Sequence, residues 1–215
     1  MTSSPHGSAR QTSRRGFEKR ALIIEATAQL VMEQGFSAVS HRAVAERAGV
    51  PLSATTYYFR SLDDLLTATV ERLAGTWLAD AREAVDRFAG PGELRDVADA
   101  VLAVALLTPP GSGYADRAGV LSLYDRYLEA ARHPHLQVVI ATYDRNLDHL
   151  ISTVLSRAGL PHDLGAAALV LAVADGAVLR ALAEGADVGA ARHSVEQVLE
   201  HMSAASVVRP GAAIG

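Results

Sequence analysis

The sequence contains no cysteine, so it has no disulfide, no thiolate nucleophile and no cysteine-ligated zinc site. It also lacks an uninterrupted apolar run of about 18 residues, the length that a membrane-spanning helix needs. No G-x-S-x-G motif occurs, and Gly111-Ser112-Gly113 is too short to form a phosphate-binding loop. These absences argue against several common enzyme sites, and they favour a protein of the reducing cytoplasm with no membrane partner.

The histidines are the remaining candidates for a metal-dependent catalytic site. His133 and His135 flank Pro134, and His193 precedes Glu196 by three residues, but neither pair has a third and a fourth metal ligand in view. The main alternative function is an all-helical metal-dependent enzyme, which would need repeated Glu-x-x-His pairs that this sequence lacks. We therefore expect no enzymatic activity, no bound metal and no cofactor.

Charge is distributed unevenly along the chain. The first 60 residues hold eight basic side chains against four acidic ones, and the other 155 hold 12 against 20. Only the N-terminal part therefore suits a phosphate backbone, although the net charge of −4 hides this. We expect the acidic remainder to face away from nucleic acid.

Residues 1–16 contain almost nothing apolar and are predicted to form a disordered basic arm. Arg10, Arg14 and Arg15 give this arm its charge. Two interpretations stay open: the arm lies along the minor groove or backbone of DNA, or it is a solvated tail.

Helical periodicity runs through the rest of the chain, and no β-type alternation competes with it. The apolar pattern and the Gly and Pro breakers predict long helices over residues 20–34, 61–88, 92–107, 114–131, 134–158, 162–184 and 190–206. Two short helices lie between the first and second of these. The predicted fold is therefore all-α, with about nine helices.

The two short helices have the pattern of a helix-turn-helix. Ser40 is suited to cap a helix over residues 41–48, Gly49 to end it in a left-handed conformation, and Pro51 to start the next helix. In that second helix Thr55 and Phe59, four residues apart, are predicted to face the core. The outward face is then small and polar, as suits a helix in the major groove, and its residues are Leu52, Ser53, Thr56 and Tyr57.

The next helix begins with a capping signal, Ser61 followed three residues later by Asp64. Together the segments IIEATAQLVMEQGF, VSHRAVAERAGVPLSATTYYF and SLDDLL resemble the N-terminal DNA-binding domain of the TetR family of transcriptional regulators. The resemblance covers about residues 20–66, and it implies a DNA-binding domain at 17–62 and a helical ligand-binding and dimerisation domain at 63–215.

The resemblance also implies roles by position. Arg42 matches an arginine that reaches a base or phosphate, His41 a backbone-contact position and Tyr58 a phosphate-binding position. Ala54 lies near the groove and offers only a methyl group. Leu62 stands where the family commonly has a lysine, so Arg60 or the basic arm compensates for the missing phosphate anchor, or operator affinity is low.

The last two long helices are the predicted dimer surface. Residues 166–174 are apolar at every position, which a single core-facing stripe cannot explain. The resemblance implies a four-helix interface between two subunits, formed by Leu169, Val170, Val173, Gly176, Val195 and Leu199. The alternative is that residues 162–184 form a central core helix of a monomer.

Aromatic and acidic residues in the middle helices predict a ligand pocket. Its candidate residues are Trp77, Leu121, Tyr124, Tyr127, Tyr143, Asp144 and Asp175, with Ile140 and Leu147 as apolar neighbours. Each aspartate lies in an apolar helical run, so we expect it either to pair with an arginine such as Arg126 or Arg180 or to await a ligand. Few lysines and scattered acids favour a neutral or cationic ligand.

The sequence therefore predicts a homodimeric transcriptional repressor that an unknown small-molecule effector releases from a palindromic double-stranded DNA operator. Two other regulators remain possible, one that responds to no ligand and one that needs its ligand in order to bind DNA. Titration of operator binding with ligands separates the three.

Overall fold

A computed structural model of the chain describes residues 6–90, 92–107 and 117–207. Over these residues the structure is entirely helical, as the sequence predicts, and it has nine α-helices and no strand. The helices are α1 His6–Gln34, α2 His41–Ala48, α3 Leu52–Tyr58, α4 Leu62–Arg87, α5 Leu94–Ala105, α6 Arg117–Ala131, α7 Gln137–Arg157, α8 Leu164–Glu184 and α9 Ala191–Val207. Short 3-10 turns occur at Phe36–Ala38, Pro134–Leu136 and Val188–Ala190.

Helix α1 begins earlier than the sequence predicts. It starts at His6, inside the segment that was expected to be a disordered arm to residue 16, while residues 1–5 lie outside the described part. Extending a helix fixes one residue for each hydrogen bond gained, so the strongly apolar part of α1 favours continued helix towards the N-terminus. Helix α1 therefore includes residues 6–16 of the segment predicted to form the basic arm.

The first compact unit comprises Met1–Ala74 and Leu128–Val139. Ile23, Val31 and Val44 are almost fully buried in its core, and α2 packs against both α1 and α3. The sequence predicts a domain boundary at residue 62, at the start of α4. Helix α4 continues unbroken from that point, and its first turns bury Leu65 and Leu66.

The second compact unit comprises Gly75–Tyr127 and Ile140–Gly215. Helices α5, α8 and α9 pack against one another around buried Val101, Leu102, Val170 and Leu199. Among the described residues α8 is the one helix that is long and apolar enough to cross a membrane. Core helices of soluble proteins meet the same criterion, and one side of α8 lies in this core.

Candidate functional site

The turn between α2 and α3 is held by its backbone. The Ser40 side chain accepts a hydrogen bond from the Ala43 amide at 3.1 Å, as predicted for the N-cap. Gly49 is left-handed, with φ 63° and ψ 33°, and its N–H donates to the Glu46 carbonyl at 3.2 Å. The Val50 N–H then donates to Ala45 at 3.0 Å, completing a Schellman motif. These bonds fix the chain reversal.

Helix α3 presents two distinct faces. Thr55 and Phe59 are buried, as predicted, and the Thr55 hydroxyl donates to the Leu52 carbonyl at 2.8 Å. Leu52 is 52% exposed and Tyr57 is 81% exposed. Ser53 and Thr56 are also exposed, while Ala54 and Tyr58 are half-buried. The groove-facing set predicted from the sequence therefore lies on the surface.

Several basic and aromatic groups surround this face. Arg42 at the start of α2 and Arg60 after α3 are exposed. His41 is half-buried, and within the described part of the chain its Nδ1 atom has no hydrogen-bond partner. Tyr57 and Tyr58 meet edge to face, with ring centroids 5.1 Å apart. The surface is therefore aromatic and basic.

Two further contacts near α3 were not predicted. Arg20 lies over the ring of Phe59 at 5.0 Å, so the C-terminal end of α3 is covered by a cation–π contact from α1. Arg47 forms an ion pair with Glu33 at 2.8 Å, and its hydrogen bond lowers the pKa of Glu33. Arg47 is thus partly neutralised within the protein, although its charge counted towards the basic balance of the sequence.

The start of α4 carries the departure from the family pattern. The Ser61 hydroxyl accepts from the Asp64 amide at 3.0 Å, which confirms the predicted cap. Leu62 is half-buried and offers no charge, and Asp63 and Asp64 are exposed beside it. The first turn of α4 therefore carries two carboxylates, and Leu62 supplies no charge for a phosphate.

A second site is a partly open cavity in the second unit. Its volume is about 60 Å³ within the walls and about 420 Å³ when the open mouth is counted. Five of the seven predicted ligand residues line it, and the full set is Ala105, Leu123, Tyr124, Tyr127, Tyr143, Asp144, Leu147, Leu171 and Asp175. The sequence missed Ala105, Leu123 and Leu171, which are ordinary apolar helix residues with no signal to distinguish them from core.

The two aspartates in the cavity pair with tyrosines. Tyr124 donates its hydroxyl hydrogen to Asp175 at 2.8 Å, and Tyr127 donates to Asp144 at 2.9 Å. The predicted arginine partners are wrong: Arg180 pairs with Glu184 at 2.9 Å, and Arg126 has no hydrogen bond to either aspartate. A tyrosine on α6 reaches a carboxylate on α7 or α8, whereas Arg180 is closer to its own helix neighbour.

Burial raises the pKa of both carboxyl groups. In Asp175 desolvation is the larger cause, and its hydrogen bond from Tyr124 opposes the rise in pKa. In Asp144 desolvation again dominates, and the Tyr127 hydrogen bond acts against it. Burial together with the nearby aspartates also raises the pKa of all three tyrosines, so their hydroxyl groups remain protonated donors.

The remaining two predicted pocket residues lie outside the lining. Trp77 contacts Tyr143 edge to face, with centroids 6.0 Å apart, and so supports the cavity wall from behind. Leu121 is 41% exposed and is not part of the lining. Helical periodicity alone does not tell whether a residue close to a pocket belongs to its lining.

Helix α8 has one buried face and one exposed face. Val170 is fully buried in the chain's own core, as are Val195 and Leu199 on α9. These three residues were predicted to contact a partner, and the prediction is wrong because they already pack against other helices of the same chain. The exposed face is uncharged over several turns and consists of Gly165, Ala168, Leu169, Ala172, Gly176 and Leu179. Val173 is half-buried beside it.

Two family descriptions match this chain. Residues 23–69 match "Bacterial regulatory proteins, tetR family", and residues 92–205 match "Tetracyclin repressor-like, C-terminal domain". The first match contains the helix-turn-helix, and the second contains the cavity. A comparison with curated proteins found no significant match.

Solved structures share the fold over most of the chain. The multidrug binding protein EbrR complexed with imidazole is 31% identical, covering 85% of this chain and 90% of its own, with a TM-score of 0.62. EbrR complexed with ethidium is 32% identical, covering 84% and 98%, with a TM-score of 0.60. A TetR-family member from Streptomyces coelicolor A3 is 29% identical, covering 85% and 98%, with a TM-score of 0.58. With its helix-turn-helix and more than half of its length matched, this chain belongs to the TetR family of bacterial regulatory proteins.

Proposed function

We propose that this protein is a cytoplasmic, homodimeric repressor that binds a palindromic operator and is released from it by a small molecule. The exposed face of α3 carries the proposal. Its hydroxyl, phenol and apolar side chains stand on a helix whose angle is fixed by the Ser40 cap and the Gly49 turn.

The proposed DNA contacts divide by chemistry. A major groove about 12 Å wide admits a helix such as α3, where Ser53, Thr56 and Tyr57 can bond base edges and Leu52 can contact a thymine methyl group. Arg42, Tyr58 and Arg60 would position the helix through the backbone, because guanidinium and phenol groups bond phosphate oxygens. His41, which is half-buried at the start of α2, is a further proposed backbone contact.

The exposed face of α8 supports a dimer. A charge-free stripe of small residues and leucines is unusual on a monomer, and Gly176 leaves room for a second helix to approach closely. A two-fold dimer would present two α3 helices, which is the arrangement that reads half-sites about 34–36 Å apart. The interface therefore uses Leu169, Ala172, Gly176 and Leu179 rather than the buried Val170.

The cavity supports control by a ligand. EbrR is named a multidrug binding protein and has been solved in complexes with imidazole, malachite green, proflavin and ethidium. A ligand in the cavity of this chain would act by population shift, favouring a dimer that does not match successive grooves. Its preference for that state must reach about 1–3 kcal/mol for useful switching.

The first test is binding of the purified protein to DNA flanking its own gene, with excess nonspecific competitor and a range of salt concentrations. A repressor of this kind should form a complex that survives competitor and weakens steadily as salt rises. A complex that competitor abolishes would contradict sequence-specific recognition at that site. Adding ligands then separates release from the DNA, no response, and ligand-dependent binding.

A further inference from the structure

We propose that the cavity selects aromatic cations, with the positive charge held between Asp144 and Asp175 and the ring held among Tyr124, Tyr127 and Tyr143. This inference rests on the proposed ligand-responsive function and specifies the class of its effector. It excludes anions and uncharged rings as the preferred ligands.

The charge balance of the cavity is the first argument. Of the described residues that line it, two are acidic and none is basic. Each carboxylate accepts a hydrogen bond from a neutral phenol, and Arg145, which acts on Asp144 from its own helix, is not among the lining residues. A partly buried carboxylate without a counter-charge is costly, and a carboxylate has more acceptor sites than one hydroxyl fills. A cation with N–H donors would supply both the charge and the missing hydrogen bonds.

The rest of the lining selects a ring rather than a flexible polar cation. Tyrosine faces attract cations and stack on aromatic rings. The other walls are apolar and come from Ala105, Leu123, Leu147 and Leu171. A hydrated aliphatic polyamine would lose water to these walls without gaining contacts, whereas an aromatic body buries apolar surface there.

Tyr127 is the side chain that moves to admit the ligand. The cavity volume of about 60 Å³ is too small for an aromatic body, so such a ligand must displace a side chain or extend into the open mouth. Tyr127 is 38% exposed, while Tyr143 is wedged against Trp77. When Tyr127 swings outward, Asp144 exchanges the phenol for the incoming cation, and the open mouth of the cavity becomes available to the ring.

Binding of such a cation should depend on pH. The groups that face the two aspartates are Tyr124 and Tyr127 from α6, and Tyr143 from α7, while α5 contributes only Ala105. Arg145 and Asp148 act on Asp144 from its own helix, in opposite directions. Because burial raises the pKa of both aspartates, they take up protons above the range of ordinary aspartates. Cation affinity should therefore fall as the pH is lowered from neutral.

Three probes of one shape test the charge preference: naphthamidinium, which is a cation, neutral naphthamide and anionic naphthoate. Calorimetric titration of the full-length chain should give the tightest binding for naphthamidinium, by about tenfold or more over naphthamide, and the weakest for naphthoate. Lowering the pH should weaken naphthamidinium and leave naphthamide unchanged. Equal or tighter binding of naphthamide, or no binding of naphthamidinium at millimolar concentration, would overturn the proposal.

Two substitutions test whether the preference for a cation arises at Asp175. Asp175→Asn keeps the shape and the Tyr124 hydrogen bond, and it should weaken naphthamidinium about tenfold while changing naphthamide little. Asp125→Asn removes the same charge from an exposed position on α6 and should change neither ligand. Similar losses in both variants would overturn the assigned site. Binding of flanking DNA by the same samples, without probe, separates this result from failure of the repressor function itself.

Discussion

Asp175 is a residue whose chemistry works against the stability of the fold. Its pKa is raised chiefly by burial, so the folded chain favours the protonated acid. Stability from that preference is complete below the ordinary pKa of aspartate and is lost as pH rises through the raised pKa. At neutral pH the ionised carboxylate is therefore a net cost, retained where a binding site would use it.

Asp175→Asn should consequently make the protein more stable at neutral pH. We expect the free energy of unfolding to rise by about 1 kcal/mol, since the amide is uncharged and still accepts from Tyr124. The gain should shrink towards zero as pH falls to the ordinary aspartate range. Denaturant titrations at several pH values measure this difference, and a gain that is constant with pH would contradict the ionisation argument.

Arg42 is the residue at which a proposed DNA contact can be tested most clearly without an effect on folding. It is exposed at the N-terminal end of α2, next to the Ser40 cap. Arg42→Ala should weaken binding to flanking DNA by about 1–3 kcal/mol if the side chain reaches a base, or lower the salt slope by about one if it reaches a phosphate. Either effect should leave thermal unfolding unchanged.

Arg82→Ala is the matched control for this prediction. Arg82 is an exposed arginine of α4 in the second unit, so its removal changes the net charge by the same amount away from α3. Equal losses of DNA affinity in both variants would indicate a general charge effect and would contradict a contact by Arg42.

At the scale of elements, glycines at two positions should respond in opposite directions to the same substitution. Gly49 has φ 63° at the end of α2, whereas Gly75 lies inside α4, and an added Cβ would meet no atom within 4 Å at either position. Packing is therefore equal, and only the backbone differs. Gly49→Ala should destabilise the protein by roughly 1 kcal/mol, and Gly75→Ala should stabilise it by roughly 0.5–1 kcal/mol. Thermal unfolding of both variants measures the pair.

Gly49→Asn refines the same prediction, because asparagine tolerates the left-handed conformation better than alanine. The stability of Gly49→Asn should lie between that of the parent protein and that of Gly49→Ala. If alanine and asparagine are equally harmful, the left-handed backbone at the turn is not the cause of the loss.

The sequence predicts some features of the helices better than others. The caps at Ser40 and Ser61 and the turn at Gly49 were predicted correctly, because each depends on residues within three or four positions. The buried face of α8 was not: apolar residues on every side carry no periodicity, so only tertiary contacts decide that Val170 lies inside and Leu169 outside. The tyrosine partners of Asp144 and Asp175 depend likewise on packing between helices distant in sequence.

At the scale of the whole molecule, the two proposed binding functions lie in parts of the chain with opposite net charge. Basic residues predominate in the first 60 positions, where α2 and α3 lie, and acids predominate in the remainder, which contains the cavity. This asymmetry should make DNA binding depend strongly on salt while a cationic ligand is attracted to the other unit. One chain can thus hold an anionic and a cationic partner without competition for the same surface.

At the same scale, the proposed operator binding would depend on the proposed dimer. Leu169 on the exposed face of α8 and Leu128 on α6 are 52% and 51% exposed, so a charge at either position has a similar effect on the folded single chain. Leu169→Glu should nevertheless give monomers in light scattering, since it places two like charges in an apolar interface, and Leu128→Glu should remain dimeric. The monomer should lose most of its affinity for a two-half-site operator, because each chain then binds one half-site without the effective concentration that its partner provides. A Leu169→Glu chain that stays dimeric would move the interface away from this face of α8, and a monomer that binds the full operator normally would contradict recognition by paired α3 helices.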